Sequence, residues 1–464
     1  MNARDTISPT HLGMEAVASL RAEEEPWLAH CFVYPDEFSL MGGLRSVAVF
    51  GKSGSGKSAV CRMLLEEARA FSSEPRYLIV RWQPMPAALE ALTGFQSVPG
   101  QVAHLFDSCA YTLLEHLTTA PARWHKAPSW ARRFLVWFIK CFLVGDQGVR
   151  IGPLEERVGR DGKRVLSDVL QEEGNSLMLT DQWSLIGREL SKTIQRLGWE
   201  GIWVVVDGIE PWVETQPQRA EAALAALFAS LPLFQETSLA YKAFLPFRLQ
   251  PTLASTAGIE RGRIQRCYLT WREEQLLLLV EQRLALAFGR PMTLQHLCGA
   301  PGLLDWLRRA GGDSPRAWLE TIRPLVAYAL ARCLTEPVPE ETWKTLRSQY
   351  PPRLEFNEET GHIRVGGREV PGGSIPPGGL RLLRYLYRNA GRPISWEELY
   401  YRGYRERPST PRIPEDPGYE ERKNWEPTLF TRLSELRKAI EPDPEDPIYI
   451  ETVRGEGVIF HLYW

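Results

Sequence analysis

Eight consecutive residues carry the strongest chemical signal in this sequence: Gly51-Lys52-Ser53-Gly54-Ser55-Gly56-Lys57-Ser58. They fit G-x-x-x-x-G-K-[ST] at every position, a spacing suited to cradling phosphates. The glycines let the backbone turn tightly enough for its N–H groups to face an anion. The helix that follows turns its positive end the same way. Lys57 is expected to reach the outer phosphates of a nucleoside triphosphate, ATP ahead of GTP, and the Ser58 hydroxyl to ligate Mg2+. The flanks agree: Arg45 to Phe50 reads as a buried strand, and a helical pattern runs from Lys57 to about Phe71.

The other half of such a site is an acidic group at the tip of a buried strand. Ile202 to Val206 is an unbroken apolar run, the pattern of a parallel strand covered on both faces. It ends in Asp207-Gly208-Ile209-Glu210. Asp207 is expected to hold the magnesium and Glu210 to polarise the attacking water. An ordinary Asp-Gly turn would look the same locally, and the upstream loop is what favours the metal role.

These residues need a parallel sheet to position them, and strand and helix patterns alternate accordingly. Arg76 to Trp82 and Ser238 to Phe247 read as further strands, and residues 86–200 as a largely helical insertion with a loop or hairpin over 145–175. Trp124, Trp130, Trp137 and Trp183 in that insertion read as core, with a partner surface as the alternative. Residues 271–335 are helical, and clustered proline and glycine mark a boundary near 340–350. The expected fold is an α/β P-loop NTPase with helices on both faces of a parallel sheet; the family resemblances given below imply that the later segments are a helical lid and a small α+β winged-helix domain. In residues, that is an N-terminal segment 1–40 packing near the nucleotide site, a core 41–270, a lid 271–340 and a final domain 350–464.

Composition narrows the setting. The chain has 464 residues, 44% hydrophobic and 24% charged, with a formal net charge of −2. That charge gives no chain-wide reason to expect nucleic acid or membrane, so any such partner must meet a local patch. Seven scattered cysteines without a Cys-x-x-Cys point to a reducing, cytoplasmic setting rather than disulfides or zinc. The N-terminus lacks a signal-peptide layout, and the apolar run Phe134 to Val144 is too short for a membrane span.

Taken together, the phosphate loop, the strand, the helical insertion and the Asp207 to Glu210 element resemble the AAA+/STAND branch of P-loop ATPases. The N-terminal acidic cluster Glu23-Glu24-Glu25 and the segment CFVYPDEF are similar to a bacterial group within that branch. This resemblance spans roughly residues 20–335. It implies a polar sensor on the strand LAYKAFLPFRL, with Lys242 or Arg248 as candidates, and a lid beginning near Arg272-Glu273-Glu274. It also implies a lid turn, Asp313-Ser314-Pro315-Arg316, from which Arg316 would reach the γ-phosphate. Arg261, Arg263 and Arg266 form either a surface cluster or a finger directed at a neighbouring subunit. Lys57, Asp207, Glu210 and Arg316 are thus the expected catalytic set.

Residues 353–464 resemble an OmpR/PhoB-type winged helix, through G-x-x-L-L-x-Y-L with G-R-x-I-S-x-E-E-L, then T-R-L-S-E-L-R-K and Y-I-x-T-V-R-G-x-G-V-x-F. A helix is expected from Pro427 to Glu441, and Ser395 is placed to cap the helix before it. The resemblance implies duplex DNA contacts from Thr428, Thr431, Arg432, Arg437, Lys438 and Arg454. Acidic residues slightly outnumber basic ones from Arg353 onward, and Glu426 and Glu435 lie in the recognition segment, so a protein-docking winged helix stays open. The expected activity is slow, regulatory ATP hydrolysis coupled through homo-oligomerisation to DNA binding, with no membrane partner. The alternative is an ATP-regulated signalling or defence scaffold; a metabolic kinase fits less well, because no acceptor-binding domain is visible.

Overall fold

The computed structural model describes residues 12–19, 21–70, 76–84, 94–144, 147–171, 183–230, 238–366 and 368–462. Expectations touching 1–11, 86–93 and 172–182 lie outside the described residues. The chain divides into two compact units. One comprises Tyr34–Gly51 and Lys57–Leu269; the other comprises Met1–Val33, Lys52–Gly56 and Thr270–Trp464.

The first unit is built on a five-stranded parallel sheet: β1 (Ser46–Gly51), β2 (Tyr77–Trp82), β3 (Gly201–Val206), β4 (Leu239–Pro246) and β5 (Ile264–Tyr268). Their order is β2-β3-β4-β1-β5. Every residue of β1 and β3 is buried, which is why these strands read as unbroken apolar runs. The register pairs Gly51 with Pro246 and Trp82 with Val206, so the ends of these strands share one edge. Ligand sites of open parallel sheets form along that carboxyl edge.

The insertion is organised around the helix Val98–Thr119, with Leu105, Phe106, Cys109, Leu113 and Leu117 fully buried. The loop or hairpin expected over 145–175 is instead two helices, Gln147–Arg157 and Arg160–Gln171. Apolar residues at 151, 154, 165, 166 and 169 are all buried, and the charged residues interspersed with them hide that periodicity in the sequence. Of the insertion's expected core tryptophans, Trp124 is buried, Trp137 and Trp183 are partly buried, and Trp130 is 41% exposed.

The second unit holds two apolar cores. One joins the helices Glu273–Phe288, Leu303–Gly311 and Pro315–Ala331. The N-terminal segment packs onto the first of these. Leu12 N donates to Leu286 O at 3.2 Å, and the buried Arg283 pairs with the buried Glu25 at 2.7 Å. The other core belongs to a small α+β winged-helix region. A hairpin sheet, β6 (Leu354–Phe356), β7 (Ile363–Val365) and β8 (Arg368–Glu369), precedes the helix Pro377–Arg388. Strand β9 (Pro393–Ser395) then pairs antiparallel with the C-terminal hairpin of β10 (Ile450–Val453) and β11 (Gly457–Phe460).

Ser395 Oγ accepts from Glu398 N at 3.2 Å, the expected cap. The helix expected from Pro427 runs from Arg422 to Ile440, starting five residues earlier. Trp425 explains the earlier start: it is buried, and its ring stacks on Tyr400 at 4.8 Å, so the extra turn brings a large apolar side chain into the core. Among the described residues, no helix is long and apolar enough to cross a membrane.

Candidate functional site

The chain leaves β1 at Gly51 and re-enters helix at Lys57. Between them Gly54 and Gly56 take φ of +77° and +85°, a region that side chains with a Cβ rarely adopt. The loop therefore depends on glycine at these two positions. Ser55 Oγ is buried and has no hydrogen-bond partner among the described residues. A buried hydroxyl in that condition suits an oxygen-rich ligand, since leaving it unmatched costs about 1–3 kcal/mol.

Lys57 is only 5% exposed, and its Nζ donates to Gly51 O at 3.1 Å and pairs with Glu210 Oε1 at 3.0 Å. Ser58 Oγ donates to Asp207 Oδ1 at 3.2 Å. Residues separated by about 150 positions thus meet at one sheet edge, because β4 alone separates β1 from β3. Asp207 follows the last residue of β3, and Glu210 opens the short helix Glu210–Thr215, with Pro211 at a position where a missing N–H costs little. A hydroxyl beside a carboxylate is a hard oxygen donor set of the kind Mg2+ takes, while a buried ammonium suits a phosphate. The residues present fit ATP with Mg2+.

In the second unit, residues 52–56 of the loop meet the turn Asp313 to Arg316. Lys52 Nζ pairs with Asp313 Oδ2 at 2.7 Å; Ser314 Oγ and Arg316 N both donate to Gly54 O, at 3.4 and 3.3 Å. Arg316 thus reaches the loop through its backbone. Its guanidinium also acts on Glu320, lowering a carboxyl pKa that burial, the larger effect, raises. Trp271 Nε1 donates to Ser55 O at 2.8 Å, and its ring lies where a Cβ on Gly56 would stand 3.7 Å away. Neither Trp271 nor the Lys52–Asp313 pair stands out in the sequence, because no motif spacing joins positions so far apart.

Lys242 does not take the expected sensor position. It pairs in register with Val47, four residues and about 13 Å from the Gly51 end. Its buried ammonium donates to the carbonyls of Met41, Gly43 and Arg45 at 2.6, 3.0 and 2.7 Å, a structural role. Arg248 lies just beyond the end of β4, exposed, in the turn Phe247–Leu249. Arg261, Arg263 and Arg266 are exposed, and the first two precede β5, whose start pairs with the start of β1.

In the winged helix, Thr428, Thr431, Lys438 and Arg454 are exposed, and Arg454 sits in the turn between β10 and β11. Arg432 is paired with Glu435 at 2.7 Å. Arg437 is half-buried and donates to Ile450 O and Thr452 Oγ1, both at 2.7 Å, and burial lowers its pKa. The last two arginines are thus engaged within the domain.

No family model matches this chain, and neither does any curated protein. One solved structure it is similar to is the Aeropyrum pernix ORC1 protein in complex with DNA. That chain is 15% identical, with 97% of this chain and 94% of that one covered and a TM-score of 0.38. A superposition this loose transfers neither residue roles nor a ligand.

Proposed function

We propose that this chain is an ATP-binding and ATP-hydrolysing switch of the AAA+/STAND type, in which nucleotide state and self-association govern DNA engagement by an OmpR/PhoB-type winged helix. The reading is carried by the convergence of Lys57, Ser58, Asp207 and Glu210 at one sheet edge. Lys57 would neutralise the outer phosphates. Ser58 and Asp207 would hold Mg2+, which supplies charge stabilisation to the phosphate oxygens when bound. Glu210, released from Lys57, would accept the proton of the attacking water. Arg316 is the proposed cation of the lid.

The coupling is supported by the lid turn. Asp313 pairs with Lys52 of the phosphate loop, and the adjoining Gly312 abuts the winged-helix hairpin, where an added Cβ would lie 2.6 Å from Arg368 Cδ. Gly312 has a φ of +53°, so both space and backbone call for glycine. One short turn therefore touches both the loop and the domain it is proposed to control.

Thr428, Thr431, Lys438 and Arg454 are the DNA contacts we favour, with Arg432 and Arg437 contributing only if their internal bonds break. That engagement favours a second reading, an ATP-regulated scaffold whose winged helix binds protein. Lys57→Ala tests the premise common to both: it should abolish ATP binding and phosphate release, and wild-type affinity in the variant would remove the site assignment.

A further inference from the structure

Glu210 opens a helix of only six residues, Glu210–Thr215. A helix that short has no stability of its own in water, so its orientation is set by what it packs against. Two residues after Glu210, the ring of Trp212 lies 5.9 Å from Trp82 and 6.2 Å, edge-on, from Phe95. Trp82 ends β2 beside Val206, the residue before Asp207. Phe95 belongs to the insertion, just ahead of the helix Val98–Thr119.

The two rings are themselves fixed by that helix. Gln101, fully buried, accepts the Trp82 indole N–H at 3.1 Å, and its amide donates to the carbonyl of Phe95. One turn on, His104 lies edge-on to both rings, 5.8 Å from Trp82 and 5.3 Å from Phe95, and its Nε2 is 2.7 Å from Gln83 O. A continuous packed path therefore runs from the insertion to the helix that begins with Glu210. Rigid support of this kind matters because a general base misplaced by about 1 Å costs on the order of 100-fold in rate.

We propose that Trp212 is a positioning residue through which the insertion sets the orientation of Glu210, and with it turnover rather than nucleotide affinity. This rests on the reading of Glu210 given above. Phosphate release and ATP affinity should be measured for wild type, Lys57→Ala, Trp212→Ala, Trp212→Phe, Glu210→Gln and the Trp212→Ala/Glu210→Gln double variant. The expected result is a kcat for Trp212→Ala reduced about 10- to 100-fold, with ATP affinity within about threefold of wild type. Trp212→Phe should restore most of the rate. In the double variant Trp212→Ala should add little to the loss from Glu210→Gln, because both act through one group.

Losses that simply multiply in the double variant, or an affinity that falls in step with kcat and is not restored by Phe, would overturn the assignment in favour of plain core packing. Release that Lys57→Ala abolishes but Trp212→Ala leaves intact would overturn Trp212 alone. Release that survives Lys57→Ala would overturn the ATPase reading beneath it.

Discussion

Glu210→Gln should separate nucleotide binding from turnover, and in opposite directions. In this structure the Glu210 carboxylate lies 3.0 Å from the Lys57 ammonium, which is 5% exposed, while Glu210 itself is 32% exposed. At an effective dielectric of about 20 the bare attraction is roughly 5 kcal/mol. Desolvation and side-chain ordering offset most of it, and pairs in open solvent retain only about 0.2–1 kcal/mol. A pair with one enclosed partner should retain about 1 kcal/mol. That amount must be given up before Lys57 meets a phosphate, and glutamine removes most of it. ATP should therefore bind the variant about fivefold more tightly. Loss of the general base proposed at Glu210 should slow phosphate release by at least about 100-fold. Titration calorimetry with ATP–Mg2+ and a steady-state phosphate assay on the same preparation measure the two effects. ATP bound more weakly than to wild type, or release at the wild-type rate, would refute this account of Glu210.

Two further outcomes follow from groups away from the phosphate loop. Lys242→Met removes the donor that three close carbonyls share, and should cost about 3 kcal/mol in denaturant unfolding while leaving ATP affinity unchanged; an unshifted unfolding midpoint would contradict the structural role. Burial lowers the pKa of His104 and of His116 below the ordinary 6.5. The unfolded chain thus takes up protons before the fold does, so the stability these groups contribute is present above about pH 6.5 and is lost as pH falls below it. Unfolding midpoints should drop between pH 7 and 5, less steeply in His104→Gln; equal slopes would count against a buried neutral imidazole.

What the sequence revealed depended on how local each signal was. The phosphate loop is contiguous, and the runs that became β1 and β3 are apolar throughout because both faces of each strand are covered. The winged helix was legible through its ordered set of short motifs. Register was not legible. Lys242 stands in a strand that looks right for a sensor, yet the pairing with Val47 puts it at the far end of the sheet. Arg437 lies in a motif that suggests DNA, and only the fold shows it donating to β10. The helices over 147–171 were obscured by charge on their outer faces, and the Trp212 cluster by the sequence distance between Trp82, Phe95 and Trp212.

The central claim, that nucleotide state governs a DNA-binding winged helix, is tested most directly by duplex DNA binding to the full-length chain with and without ATP–Mg2+ across a salt series. Binding should tighten with ATP–Mg2+, and log affinity should fall linearly with log salt, by about 0.9 for each phosphate neutralised. With Lys438 and Arg454 as the exposed cations among the proposed DNA contacts, a slope of about −2 is expected. No binding at low salt in either nucleotide state would contradict the claim and make a protein the partner of the winged helix.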